Sequence, residues 1–377
     1  MTPASRTSAL GTWLNRATVV VPLLAVATLI AVWGRDLPAV VEVCVVLLLA
    51  GSVLDAVHHA EVVAHRVGEP FGSLILAVAV TVIEVGLVIT LMASGGAGAA
   101  TLARDTVFAA VMITCNGIVG LSLLVTALRH RVAVFNPEGT GAMLGTVITL
   151  ATLSLVLPTF TIGTPGPEFT GPQLAFAATA SLVLYGLFVF VQNVRHRDYF
   201  LRSAGTRRHH GDASGPADED RAAVPSVRTA LSSLVLLVVS LVAVVGLAKV
   251  ESATIETAVA DAGLPHSVVG VVIALTILLP ETLAAVRNAR RDRVQISLNL
   301  ALGSAMASIG LTIAAIAVAS IWLATPLQLG LGPTQLVLLA LTAGVGILTV
   351  MPGRATLLQA AVHLVICAAF LFLAANP

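Results

Sequence analysis

The chain has 377 residues, of which 57% are hydrophobic and only 10% charged, and its mean hydropathy is +0.99. So little polar surface excludes a water-soluble enzyme or binding module and describes an integral membrane protein. A net charge of +1, without an aromatic-basic surface pattern, gives no basis for nucleic acid or another polyanion as partner.

At about 20 residues per crossing, eleven apolar runs follow in chain order: 17–34, 38–64, 70–93, 105–128, 142–162, 173–194, 229–249, 266–286, 294–321, 333–350 and 355–374. They are continuous rather than alternating. Only helices and closed barrels satisfy the backbone in lipid, so the expected fold is an all-α membrane bundle. The polar segment Met1–Arg16 has no clear cleavage site, and the first helix is expected to be retained. Cys44, Cys115 and Cys367 fall within predicted spans without pairing or ligand spacing, and read as small apolar side chains.

On the second run, Asp55, His58, Glu61 and His65 follow a 3-3-4 spacing and are expected to share a helical face, as a cytoplasmic cation access or pH sensor, or as interfacial polarity. Glu42, Glu69 and Asp105 lie near run boundaries and read as interfacial. Glu84 is the only ionisable residue at membrane depth in the third run, and Glu281 holds that position in the eighth. An ionised carboxylate at the bilayer centre costs roughly 2.5–3.5 kcal/mol even on lenient scales, so each marks a cation or proton site. Pro280 has no backbone N–H, which leaves the carbonyl of Thr276 without its helical partner and available as a ligand. Asn116 on the fourth helix, with Asn299, Ser304 and Ser308 on the ninth, supplies further oxygens, and Gly117, Gly120, Gly303 and Gly310 permit close helix approach.

The hydrophilic stretch 195–228 is basic first and acidic later, and reads as a cytoplasmic linker. Within it, His209, His210, Asp212, Asp218, Glu219 and Asp220 are either a regulatory cation site or solvated polarity. The linker separates a first five-helix repeat, 37–194, from a second, 229–377, with 1–36 as a tail and extra helix. An odd helix count makes the second repeat enter from the opposite face, the inverted-repeat plan of transporters. Arg104-Asp105-x-Val107 and Arg291-Asp292-x-Val294, opening the helices after Glu84 and Glu281, echo one another. Eleven crossings put all but three of the 20 basic residues on the side of the amino terminus, leaving Arg35, Arg104 and Lys249 opposite. The amino terminus is therefore expected in the cytoplasm and the carboxyl terminus outside.

Hard cations favour oxygen ligands, about six to eight for calcium, and two carboxylates supply up to four. Burial and mutual repulsion favour protonated acids while the site is empty, and a bound cation reverses that preference. Glu84 and Glu281 are thus expected both to hold metal and to couple protons. The transported ions are the only small partners implied. No resident cofactor is expected, and the sequence assigns no oligomeric state.

HAEVVAHRVGEPFGSLILAVAVTVIEV carries Glu61, Gly68, Gly72 and Glu84 in the spacing G-x3-G-x11-E, and Glu281 precedes the pair Gly303-Ser304 by 22 positions. Over essentially its whole length the chain resembles the bacterial calcium(sodium, potassium)/proton antiporters of the calcium/cation antiporter superfamily. The resemblance implies export of cytoplasmic calcium against protons. Related calcium exchangers carry a Gly-Asn pair where this chain has Val80-Thr81 and Ile277-Leu278, and a glutamine where it has Ala307, so sodium and potassium stay open. A passive cation channel is the remaining alternative; an intramembrane enzyme lacks a motif such as H-E-x-x-H. Arginine-rich, lysine-poor usage and compact loops point to a bacterial inner membrane.

Overall fold

The computed structural model describes residues 9–35, 37–68, 71–93, 98–195, 225–322 and 326–377. Eleven apolar helices appear among them: α1 (Ala9–Val32), α2 (Ala39–Val67), α3 (Phe71–Ala93), α4 (Leu102–His130), α5 (Pro137–Phe160), α6 (Gly171–Phe190), α7 (Val227–Asp261), α8 (Ser267–Arg290), α9 (Val294–Ala319), α10 (Pro333–Val350) and α11 (Leu357–Ala375). Ten of them are long and apolar enough to cross a membrane, and α1 contributes the shorter apolar stretch Thr18–Val32. The chain is a multi-pass, all-α membrane protein. Most of the 195–228 linker, with His209, His210, Asp212, Asp218, Glu219 and Asp220, lies outside the described residues, as does Glu69.

Helix ends follow local chemistry. Asn136 caps α5 by accepting from the backbone N–H groups of Glu138 and Gly139 at 2.9 and 3.1 Å, with Pro137 at the first helical position. Helices α6, α10 and α11 each open with a glutamine at the third position, Gln173, Gln335 and Gln359, whose Oε1 accepts from the backbone N–H of Thr170, Gly332 and Thr356. Wide π turns interrupt α4 at Ile113–Ile118 and α5 at Thr152–Val156. The sequence reading ends the seventh helix at residue 249, whereas α7 continues to Asp261. Its last turns keep Val259 buried, and one buried face sustains a helix after the uniformly apolar run has stopped.

The chain divides into two contact units, a partition different from the sequence repeats. One comprises 1–83 and 223–254. In it Leu29 and Val32 of α1, Val45 of α2 and Ala243 and Leu247 of α7 form an apolar cluster. The α2–α3 connection explains two motif glycines. Gly68 adopts φ +77°, and a Cβ at Gly72 would stand 2.6 Å from the carbonyl oxygen of Ala64. Only glycine fits both places.

The other unit comprises 84–222 and 255–377. There α9 packs against α5, α6 and α8, and α8 also packs on α4. Helix α4 is central, with 89% of its apolar window buried against 28% for α6 and α11. The loops sort to two ends. At one end β1 (Val132–Val134) pairs antiparallel with β2 (Arg354–Thr356), a ladder that the sequence reading lacked. There too Arg129 donates to the carbonyl of Arg290, and His130 meets Asp292 at 2.6 Å. At the other end the N–H groups of Gln328 and Gly330 donate to the carbonyls of Ala100 and Pro167, both at 3.0 Å. Each cluster unites loops that an eleven-crossing count puts on the same side.

Candidate cation site

Glu84 lies in the interior of α3, 3% exposed. Its Oε1 accepts the Ser308 hydroxyl of α9 at 2.7 Å, which joins the third and ninth helices. Thr312, one turn further along α9 and fully buried, adds a hydroxyl on the same helical face. Ser304, one turn before Ser308, is half-buried, and a Cβ placed on Gly303 would meet no heavy atom within 4 Å.

Glu281 is buried on α8, which runs unbroken through Pro280. The Thr276 side chain donates to the Val272 carbonyl at 2.8 Å. Asn299 on α9 accepts from Gln295 at 2.8 Å, and Gln295 in turn accepts from the backbone N–H of Asn136 at 2.7 Å. Asn299 is thereby anchored toward the α4–α5 loop.

Asn116, expected as a ligand, sits in the π turn of α4 and is engaged at both ends of its amide. Its Nδ2 donates to Thr342 of α10 at 2.9 Å, and its Oδ1 lies 3.2 Å from Nδ1 of His363 on α11. His363 Nε2 lies 3.1 Å from the Thr349 hydroxyl. In this conformation the amide ties three helices together, because buried amide groups take whatever partners their own turn faces.

The expected shared face of Asp55, His58, Glu61 and His65 is corrected: Asp55 is buried, whereas His58, Glu61 and His65 are exposed. The partners of Asp55 are Ser240 of α7, at 3.3 Å, and His59, at 3.4 Å, which the 3-3-4 pattern skipped. Spacing i, i+4 was the signal for His59, and nothing in the sequence pointed to Ser240. Asp105, read as interfacial, is buried and accepts from Thr101, Arg104 and Gln335. Cys115 and Cys367 are buried, Cys44 is exposed, and all three are free.

A helical membrane protein with a buried, hydrogen-bonded acid at membrane depth falls in the class of proteins that carry ions through the bilayer. Residues 37–194 and 232–375 match the sodium/calcium exchanger protein family. The chain belongs to that family. It is 32% identical over 361 residues to the sodium-potassium/proton antiporter ChaA of Escherichia coli (strain K12), covering 95% of each chain. It is 47% identical to the protein y4hA of Sinorhizobium fredii over 88% of this chain and 87% of that one. Among solved structures it is similar in fold to native YfkE, with a TM-score of 0.70 at 16% identity over 96% of this chain and 99% of that one. The H+/Ca2+ exchanger CAX aligns with a TM-score of 0.68 at 16% identity over 96% and 92%.

Proposed function

We propose that the chain is a secondary cation/proton antiporter in which Glu84 and Glu281 alternate between protons and a metal cation. The observation that carries this reading is the Ser308 hydroxyl donated to the buried Glu84 carboxylate, because it brings oxygens from both halves of the sequence together inside apolar helices. The further donors proposed are Glu281, the carbonyl of Thr276, the hydroxyl of Ser304 and Asn299. Hard cations want such ligands. Asn116, bonded at both ends to other helices, would join only after rearrangement.

The inverted arrangement of repeats 37–194 and 229–377 belongs to the same proposal. The echoed pairs Arg104-Asp105 and Arg291-Asp292 support it, since they open α4 and α9 from opposite ends of their unit. The basic end, with Arg129, Arg131, Arg290, Arg291, Arg293 and Arg354, is taken as cytoplasmic in a bacterial inner membrane, which puts the amino terminus inside. The motif resemblance favours calcium as the exported ion, and the name of the Escherichia coli relative favours sodium and potassium. Membership in an exchanger family argues for transport rather than catalysis.

The test is cation-dependent collapse of a pH gradient in vesicles containing the purified protein, with calcium, sodium and potassium added separately. Wild type is expected to move protons with at least one of them, and Glu84→Gln and Glu281→Gln to abolish the movement. Exchange surviving in both variants refutes the site, and cation flux without proton flux makes the protein a channel.

A further inference from the structure

We propose that Glu42 and Glu251 form a second acid site, in the other contact unit from Glu84 and Glu281, whose guest is a single shared proton. Glu251 lies on the part of α7 that continues past its apolar run, and it is completely buried with neither carboxylate oxygen hydrogen-bonded. One turn earlier on α7 is Leu247, which with Leu29 and Val45 belongs to the apolar cluster of this unit, so that turn offers the acid no polar neighbour. Glu42 reaches the same face from α2. Thr254, three residues beyond Glu251 and therefore beside it on α7, donates its hydroxyl to Glu42 Oε1 at 3.1 Å, which brings the second carboxylate to the same stretch of α7.

The nearby cations do not neutralise this pair. The ammonium of Lys249 lies over the ring of Trp33, 5.7 Å from its centroid, and Arg35 beyond α1 is exposed. A bare ionised carboxylate in apolar surroundings is costly. One proton on Glu251, donated to Glu42, replaces two repelling charges with one charge and a hydrogen bond, and Thr254 holds the remaining charge. A hard cation would want more oxygens than two carboxylates and one hydroxyl supply.

Proton binding here does not depend on the antiport reading. Only its consequence, an added protonation step in the transport cycle, rests on that reading. The test is infrared spectroscopy of the purified full-length protein across pH. Wild type is expected to keep a protonated-carboxyl absorption at neutral pH, and Glu251→Gln to lose the intensity of one such group. Glu42→Gln, on a half-exposed position, is expected to alter the same band and decides the matter should Glu251→Gln fail to fold. A band unchanged in either folded variant overturns the proposal. Loss of the Glu251-dependent part of the band, wild type minus Glu251→Gln, on adding calcium, sodium or potassium at fixed pH also overturns it, because the guest is then a metal. In vesicles Glu251→Gln is expected to shift the pH dependence of exchange. If wild type exchanges no cation while the band behaves as expected, the antiport reading falls and the proton site stands.

Discussion

The hydroxyl of Ser308 meets Glu84 Oε1 at 2.7 Å across 224 positions of sequence. A hydroxyl donated to a buried carboxylate favours the ionised acid, and such charge-assisted bonds contribute about 1.5–3 kcal/mol. Ser308→Ala is therefore expected to let protons compete better against the transported cation. The pH dependence of exchange should change together with the apparent cation affinity. Ser308→Thr should restore much of it. Vesicle exchange measured against pH checks this, and an unmoved profile in Ser308→Ala counts against a role for the hydroxyl.

Asn116 links Thr342 and His363, and its removal leaves His363 Nδ1 without that partner while Thr342 still donates to the Leu338 carbonyl at 2.8 Å. A buried polar group left unpaired costs about 1–3 kcal/mol. Asn116→Ala is expected to lower the unfolding temperature clearly while leaving the apparent cation affinity within a few-fold of wild type. A large loss of affinity in a normally stable variant would instead make Asn116 a ligand.

Gly270 is where α8 meets α4 backbone to backbone. An added Cβ would stand 2.9 Å from both the carbonyl carbon of Asp105 and the nitrogen of Thr106, neither of which can swing aside as a side-chain tip can. Overpacking of this kind costs about 1–3 kcal/mol. Gly270→Ala should lower thermal stability in detergent, whereas Gly303→Ala, with no heavy atom within 4 Å of its Cβ, should be tolerated by the fold. Equal effects would contradict the packing.

The two loop clusters predict sidedness. Val134 on β1 and Ile162 in the α5–α6 loop lie at opposite ends of their unit and are exposed, Ile162 to 99%. With Cys44 replaced by serine, Val134→Cys should react with a membrane-impermeant maleimide from one side only, and Ile162→Cys from the other. Labelling from the same side would overturn the crossing count.

Membrane class and eleven apolar helices were legible in the sequence, and Glu84 could be singled out there, because lipid imposes simple constraints: about 20 apolar residues for each crossing, and a cost on each stray charge. Gly68 and Gly72 could be picked out as motif glycines, but the reason for them, a positive φ and a Cβ with no room beside Ala64, appeared only once α2 and α3 were in place. The β1–β2 ladder went unseen because three-residue strands joining loops more than 200 residues apart leave no periodic trace.

Side-chain pairing was decided by tertiary structure. Spacing along one helix could group Asp55 with His58, yet burial against α1 and α7 selected His59 and Ser240 instead. It could nominate Asn116 without knowing that α10 and α11 would claim its amide. The apolar run ended the seventh helix at residue 249, before Glu251, an acid that packing leaves with no exposed surface. Hydropathy is a property of each segment taken alone and survives in the sequence. Which oxygen meets which hydroxyl depends on how whole helices rotate and slide against one another, and that is settled only when they pack.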